Sequence, residues 1–182
     1  ALAAACANLA IGLLLAFRFD YGNATAFQFA AVRPVLDNPA IGLNVGIDGM
    51  SLVMVLLTVL VTFAAIWIRP ARGTDDALYY ASSLLIAAGA AGAFVSTDLL
   101  FFYAFHELAL IPTFLMIGMR GTGNNKDAAW KITIYLGLGS LVLLAGLAFL
   151  ITAPAGGVST FDMTKLGALT RTIEGPVQER IY

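Results

Sequence analysis

Residues 98–119 read DLLFFYAFHELALIPTFLMIGM. The run is apolar and long enough to cross a bilayer, since about 20 helical residues span about 30 Å of hydrocarbon. Near its middle stands one carboxylate, Glu107, with the chain's only histidine, His106, beside it. A charge at the centre of a span costs about 2.5–3.5 kcal/mol on insertion scales, so such a residue marks a functional site by default. The rest of the chain is read as the helices that surround and serve Glu107.

Of the 182 residues, 60% are hydrophobic and 12% are charged. A soluble domain is nearer half apolar and a quarter charged. The apolar residues fall in long blocks, which predicts a polytopic membrane protein. A net charge of −1 gives no footing for nucleic acid. The single cysteine, Cys6, forms neither an internal disulfide nor a cysteine-based metal cluster and reads as packing. No basic region precedes the first apolar run, so 1–17 does not read as a signal peptide. The chain starts at Ala1 without methionine and stops at Tyr182 without a terminal signal, so a piece of a longer membrane protein is expected. The expected fold is all-α: one transmembrane bundle over 1–182, with about five spans near 2–17, 49–68, 78–95, 99–119 and 128–152.

Between the first two spans, Ile41, Leu43, Val45 and Ile47 alternate with Gly42, Asn44, Gly46 and Asp48, the period of a strand. Phe27 and Phe29 begin a weaker one, and Arg33 to Pro39 looks turn-like. A small β-hairpin at the membrane surface is expected, with an irregular loop as the alternative. Asp48 is placed to cap the second span. Ser51, Val55, Thr58 and Thr62 share one face of that span. The face should look inward, with back-bonding of each hydroxyl to its own helix as the plainer use. Gly89 and Ala93 form a small-xxx-small pair for close helix contact. Arg69 and Arg72 in one short loop, and Arg120 and Lys126 in another, assign both loops to the cytoplasmic side. The connection 96–98, the hairpin and the tail after 152 then lie outside.

Glu107 lies nine residues after Asp98, about 13–14 Å into the span and near the midplane. That is where a proton relay places a carboxyl; a structural glutamate is the alternative. Pro112 lacks an N–H, so the Leu108 carbonyl loses its usual partner and a kink is expected. His106 projects about 100° away from Glu107 around the helix and so does not share its face. It lines a water path or makes a packing hydrogen bond, and alone it makes no metal site. Tyr103, one turn before Glu107, shares its face and is within reach of the carboxyl. Lys131, in the first two turns of the last span, either snorkels to the interface or faces inward and exchanges protons with a carboxylate. No phosphate loop, ligand cluster, nucleophile pair or dinucleotide fingerprint is present in the sequence.

The run LLFFYAFHELALIPTFLMIGMRG at 99–121 resembles the glutamate-bearing helix of the antiporter-like subunit M family of respiratory complex I, the NADH–quinone oxidoreductase. GIDGMSL at 46–52 resembles the start of an earlier helix of that family, and AAWKITIYLGLGS at 128–140 the next, lysine-bearing one. Order and spacing agree. The resemblance implies a fold of about fourteen spans, with this chain holding about five from the N-terminal half. It implies that Glu107 matches the family's proton-path glutamate, whose lysine partner lies beyond Tyr182, and that Lys131 matches a second functional lysine. His106 departs from the pattern, since family members often carry tryptophan there. No cofactor is expected in this chain; NADH and quinone are used by the complex. The implied partners are other membrane subunits and the lipid bilayer, with no nucleic acid. The implied setting is the bacterial inner (plasma) membrane. Two alternatives stand: a subunit of a multi-subunit cation/proton antiporter, and a structural membrane bundle without ion transfer.

Overall fold

The computed structural model describes residues 1–37, 40–68, 76–121, 123–152 and 161–165. The chain runs α1 (Leu2–Arg18), a 3-10 turn (Tyr21–Asn23), β1 (Gln28–Asp37), β2 (Ala40–Ile47), α2 (Gly49–Ile68), α3 (Asp76–Val95), α4 (Leu99–Arg120) and α5 (Asn125–Thr152). Arg69 and Arg72, on which the orientation argument leaned, and Arg171 and Arg180 in the tail lie outside the described residues. α2, α3, α4 and α5 are each long and apolar enough to cross a membrane; α1 is apolar but shorter. A helix suits these runs because hydrocarbon offers no partner for a backbone N–H or carbonyl, and a helix satisfies both internally. Each helix packs on the next in sequence. Much of the apolar surface stays outside these contacts: Leu57, Leu138, Val142 and Phe149 are all exposed. That is the pattern of a helical membrane bundle rather than a water-facing domain.

The hairpin forms, and it is longer than its first strand suggested. β1 continues through Arg33 to Asp37, the stretch read from sequence as a turn. It pairs antiparallel with β2, from Gln28 opposite Ile47 to Asp37 opposite Ala40. Pro34 is tolerated because each strand of a two-stranded sheet has an open edge, and the register slips just after it, between Pro34 and Leu36. A second slip lies between Gln28 and Ala31, where Phe29 takes φ of 52°. α5 likewise begins earlier than the turn-like residues implied, at Asn125. The Asn124 amide donates to the Asp127 carboxylate, and the Asn125 side chain donates to the Gly118 carbonyl at the end of α4. Gly123 makes the tight turn between them at φ of 73°.

At one end of the bundle, β2, the 96–98 connection and residues 161–165 are tied together by their backbones. Thr97 N–H donates to the Asn44 carbonyl at 2.9 Å, and Met163 N–H to the Thr97 carbonyl at 2.9 Å. Leu99 N–H donates to the Phe161 carbonyl at 2.9 Å. The side chain of Asp98 sits at the centre with 0% exposure. Its Oδ1 accepts from Leu100 and Phe101 N–H at 3.0 and 3.3 Å, capping α4. Its Oδ2 accepts from Gly42 N–H in β2 at 3.2 Å. Beside this knot, Phe19, Ile47 and Leu52 form the buried apolar cluster joining the end of α1, the hairpin and the start of α2. Asp48 caps α2 as the sequence suggested, its Oδ1 accepting from Ser51 N–H at 2.7 Å.

α3 and α4 meet through glycine. A Cβ at Gly89 would lie 2.8 Å from the Phe105 carbonyl oxygen and 3.0 Å from Ala109 N, so the two backbones nearly touch there. A Cβ at Gly92 would collide with the Phe105 ring. The tight residue one turn after Gly89 is thus Gly92, while Ala93 faces a cleft.

Two stability predictions follow from these contacts. Asp98→Ala should leave three backbone donors without their acceptor and destabilise the fold by at least about 2 kcal/mol. A thermal melt in detergent should read this as a clear drop in Tm, with Asp98→Asn in between because one acceptor oxygen remains. Gly92→Val should push α3 off α4 and lower the yield of folded protein, and Phe105→Ala in the same chain should restore part of it. An equal loss in the single and double variants would place the strain elsewhere.

Candidate functional site

α4 carries the candidate site, and its position is set at the capped end. From Asp98 the helix runs uninterrupted through Glu107 and Pro112 to Arg120. Pro112 is fully buried, so its ring faces neighbouring side chains rather than lipid. It removes the N–H that would serve Leu108, and one residue on, the Thr113 hydroxyl donates to the Ala109 carbonyl at 2.7 Å. That extra bond helps satisfy a carbonyl close to the proline ring, in the way membrane helices tolerate proline.

Glu107 is half-buried, and its side chains neighbours leave one oxygen in an unusual state. Oε1 is out of contact with solvent and has no hydrogen-bond partner among the described residues. A buried acceptor without a donor costs about 1–3 kcal/mol, and more if charged. His106 approaches it, with Nδ1 3.8 Å from that oxygen. From helix geometry alone the two were expected to point apart. The two side chains nonetheless turn toward each other. At 3.8 Å the pair is an electrostatic contact and not a hydrogen bond.

Tyr103 is half-buried on α4, and no hydrogen bond joins it to Glu107 among the described residues. Lys131 lies in the second turn of α5 and is exposed on this chain. No ion pair joins it to Glu107 among the described residues, so the structure does not bring the two together. No group of three or more histidine, cysteine or acidic side chains placed to hold a metal occurs among the described residues.

One cleft borders α4 and another lies between the earlier helices. One, of about 280 Å³, lies between α3, α4 and α5 and has His106 and Thr113 in its wall. The other, of about 240 Å³, lies between α1, α2 and α3 and has Asn8 and Thr62 in its wall. The hydroxyl face of α2 does turn inward: Val55 is buried, and Ser51, Thr58 and Thr62 are partly so. Its hydroxyls are nonetheless spent locally, Thr58 donating to the Met54 carbonyl at 2.8 Å and Thr62 to the Thr58 carbonyl at 2.7 Å. The plainer use of that stripe therefore holds for both threonines. Asp98 was missed as a structural centre. The signal was present, because an aspartate directly before an apolar helical run is a cap pattern, but nothing in the sequence reveals the Gly42 partner.

Comparison with known proteins agrees with this architecture. The family described as NADH:quinone oxidoreductase/Mrp antiporter, TM, matches residues 96–176. F(420)H(2) dehydrogenase subunit M of Methanosarcina mazei is 32% identical over 97% of this chain and 36% of its own length. An NAD(P)H-quinone oxidoreductase chain 4 of Microcystis aeruginosa is 39% identical over 71% of this chain and 24% of its own. Among solved structures, a chain of respiratory complex I from Thermus thermophilus superposes with a TM-score of 0.74 at 27% identity, covering 92% of this chain and 34% of that one. The chain thus spans between about a quarter and a third of the length of these relatives. With the sequence similarity and the helical architecture in agreement, the chain belongs to the NADH:quinone oxidoreductase/Mrp antiporter transmembrane family.

Proposed function

We propose that this chain is part of a membrane-arm subunit of a proton-translocating NADH–quinone oxidoreductase, and that Glu107 is a station on its proton path. One observation carries the reading: Oε1 of Glu107 is buried midway along an apolar helix with no hydrogen-bond partner among the described residues. A carboxyl that only fastened helices would be expected to have its oxygens bonded, because fastening is what the bond would do. An oxygen left open is suited to taking up and giving away a proton. Electrons would move in other subunits, where NADH and quinone are used. This chain would supply proton-carrying side chains and the scaffold that fixes their depth, in a bacterial inner membrane beside other membrane subunits.

Lys131 is the second station in this reading. It is exposed on this chain, which suits a group that meets its counterpart across a helix contact made with the rest of the full-length protein. The relative from Methanosarcina mazei is named for a different electron donor. What the reading requires is therefore a redox reaction driving proton movement, with NADH as the donor favoured here. The family description also covers Mrp antiporters, so a cation/proton antiporter subunit is the second reading. It would use the same glutamate without a redox partner, and the neighbouring genes separate the two: dehydrogenase and quinone-site subunits in one case, small antiporter subunits alone in the other.

The test uses the full-length protein in membrane vesicles at matched assembly. Glu107→Gln should abolish proton pumping coupled to NADH oxidation while the complex still assembles. Pumping at the parental level would remove Glu107 from the path, and loss of assembly instead of coupling would make it structural. Lys131→Met should slow pumping several-fold, with Lys131→Arg retaining more of it. Parental rates in both would return Lys131 to an interfacial role.

A further inference from the structure

We propose that His106 is the group through which Glu107 exchanges its proton with the cleft between α3, α4 and α5. The inference rests on the reading of Glu107 as a proton carrier and adds the route by which the proton arrives. The cleft wall contains His106 but not Glu107, so a proton in the cleft meets the imidazole first. The imidazole in turn reaches the buried face of the carboxyl: Nδ1 lies 3.8 Å from Oε1, the oxygen with no other partner. A movement of about 1 Å brings the two into hydrogen-bond range. The side chains are 46% and 30% exposed, so neither is packed too tightly for that movement.

No other titratable group competes on this wall among the described residues. α3 contributes Gly89, Ala90, Ala93 and Phe94, and α5 contributes Leu136. On α4 itself, the Thr113 hydroxyl is committed as a donor to the Ala109 carbonyl. A neutral imidazole is the side chain suited to this work, because one nitrogen accepts while the other donates. A proton from the cleft adds to Nε2, the imidazolium releases its Nδ1 proton to Oε1, and the ring is left as its Nε2–H tautomer. The starting tautomer returns when Nδ1 takes up a proton from the cleft and Nε2 gives one back to it, an exchange with no net transfer. One proton enters and one leaves, and Glu107 passes from carboxylate to carboxylic acid.

The experiment compares His106→Gln, His106→Ala and Glu107→Gln in the full-length protein, assembled in membrane vesicles. His106→Gln keeps a polar side chain but cannot relay a proton. It should slow pumping about tenfold or more and alter the shape of the pH–rate profile. His106→Ala should be equally slow and should recover on addition of free imidazole, a response that a packing role would not produce. Parental rates and an unchanged pH profile in His106→Gln, with Glu107→Gln inactive, would overturn the relay and leave Glu107 in place. A slow His106→Ala that imidazole does not restore would also overturn it, making His106 a packing residue. Parental pumping in Glu107→Gln would overturn the underlying reading and the relay with it.

Discussion

The burial of Asp98 holds this structure together. A carboxylate with no exposed surface is costly unless its oxygens are bonded, and here three backbone N–H groups from two elements converge on it. Two of them belong to the first turn of α4, where the helix dipole also favours negative charge. The third belongs to β2, so the cap of the glutamate helix doubles as its link to the hairpin. With Leu99 N–H bonded to the Phe161 carbonyl, the start of α4 is held from both sides. The hairpin is therefore more than a surface ornament. It anchors one end of the helix that carries Glu107, and depth along a helix is fixed once an end is fixed.

Rotation and lateral position need a second constraint, and the glycines of α3 supply it. Without side chains at Gly89 and Gly92, the backbone of α3 comes against Phe105 and Ala109, the residues two before and two after Glu107. In hydrocarbon there is little hydrophobic drive between helices, so close packing of this kind is what decides which faces meet. The same approach shapes the cleft, because Gly89, Ala90 and Ala93 form its floor where larger residues would fill it. One stripe of small residues thus both fixes α4 and leaves the space in front of His106.

Apolar blocks made the bundle legible in the sequence, because crossing hydrocarbon leaves few alternatives to a helix. Alternation made β2 legible, and Asp48 announced the start of α2. What escaped was long-range. β1 reached Asp37 because a two-stranded sheet tolerates Pro34 at its edge, a context that composition does not reveal. The helical start at Asn125 depends on side-chain bonds to Asp127 and Gly118. Glu107 was visible as a charge where charges are expensive. Its open oxygen was not visible, and neither was its approach to His106, which depends on how two neighbouring side chains turn.

The two acids of α4 and its cap differ in how their oxygens are engaged. Asp98 is more deeply buried than Glu107, yet its oxygens are engaged by donors that belong to the fold and cannot leave without undoing it. Glu107 sits where a charge costs about 2.5–3.5 kcal/mol, and a charge-assisted hydrogen bond returns about 1.5–3 kcal/mol. These magnitudes are close, so one partner brought within bonding distance would offset most of the cost of placing the group there. The chain places such a partner 3.8 Å away, near enough to act and too far to be bonded at rest. A tryptophan at position 106 would fill similar space, but its one N–H is a donor and cannot take up a proton. Under the proposed relay, the imidazole at this position supplies chemistry that an indole would lack.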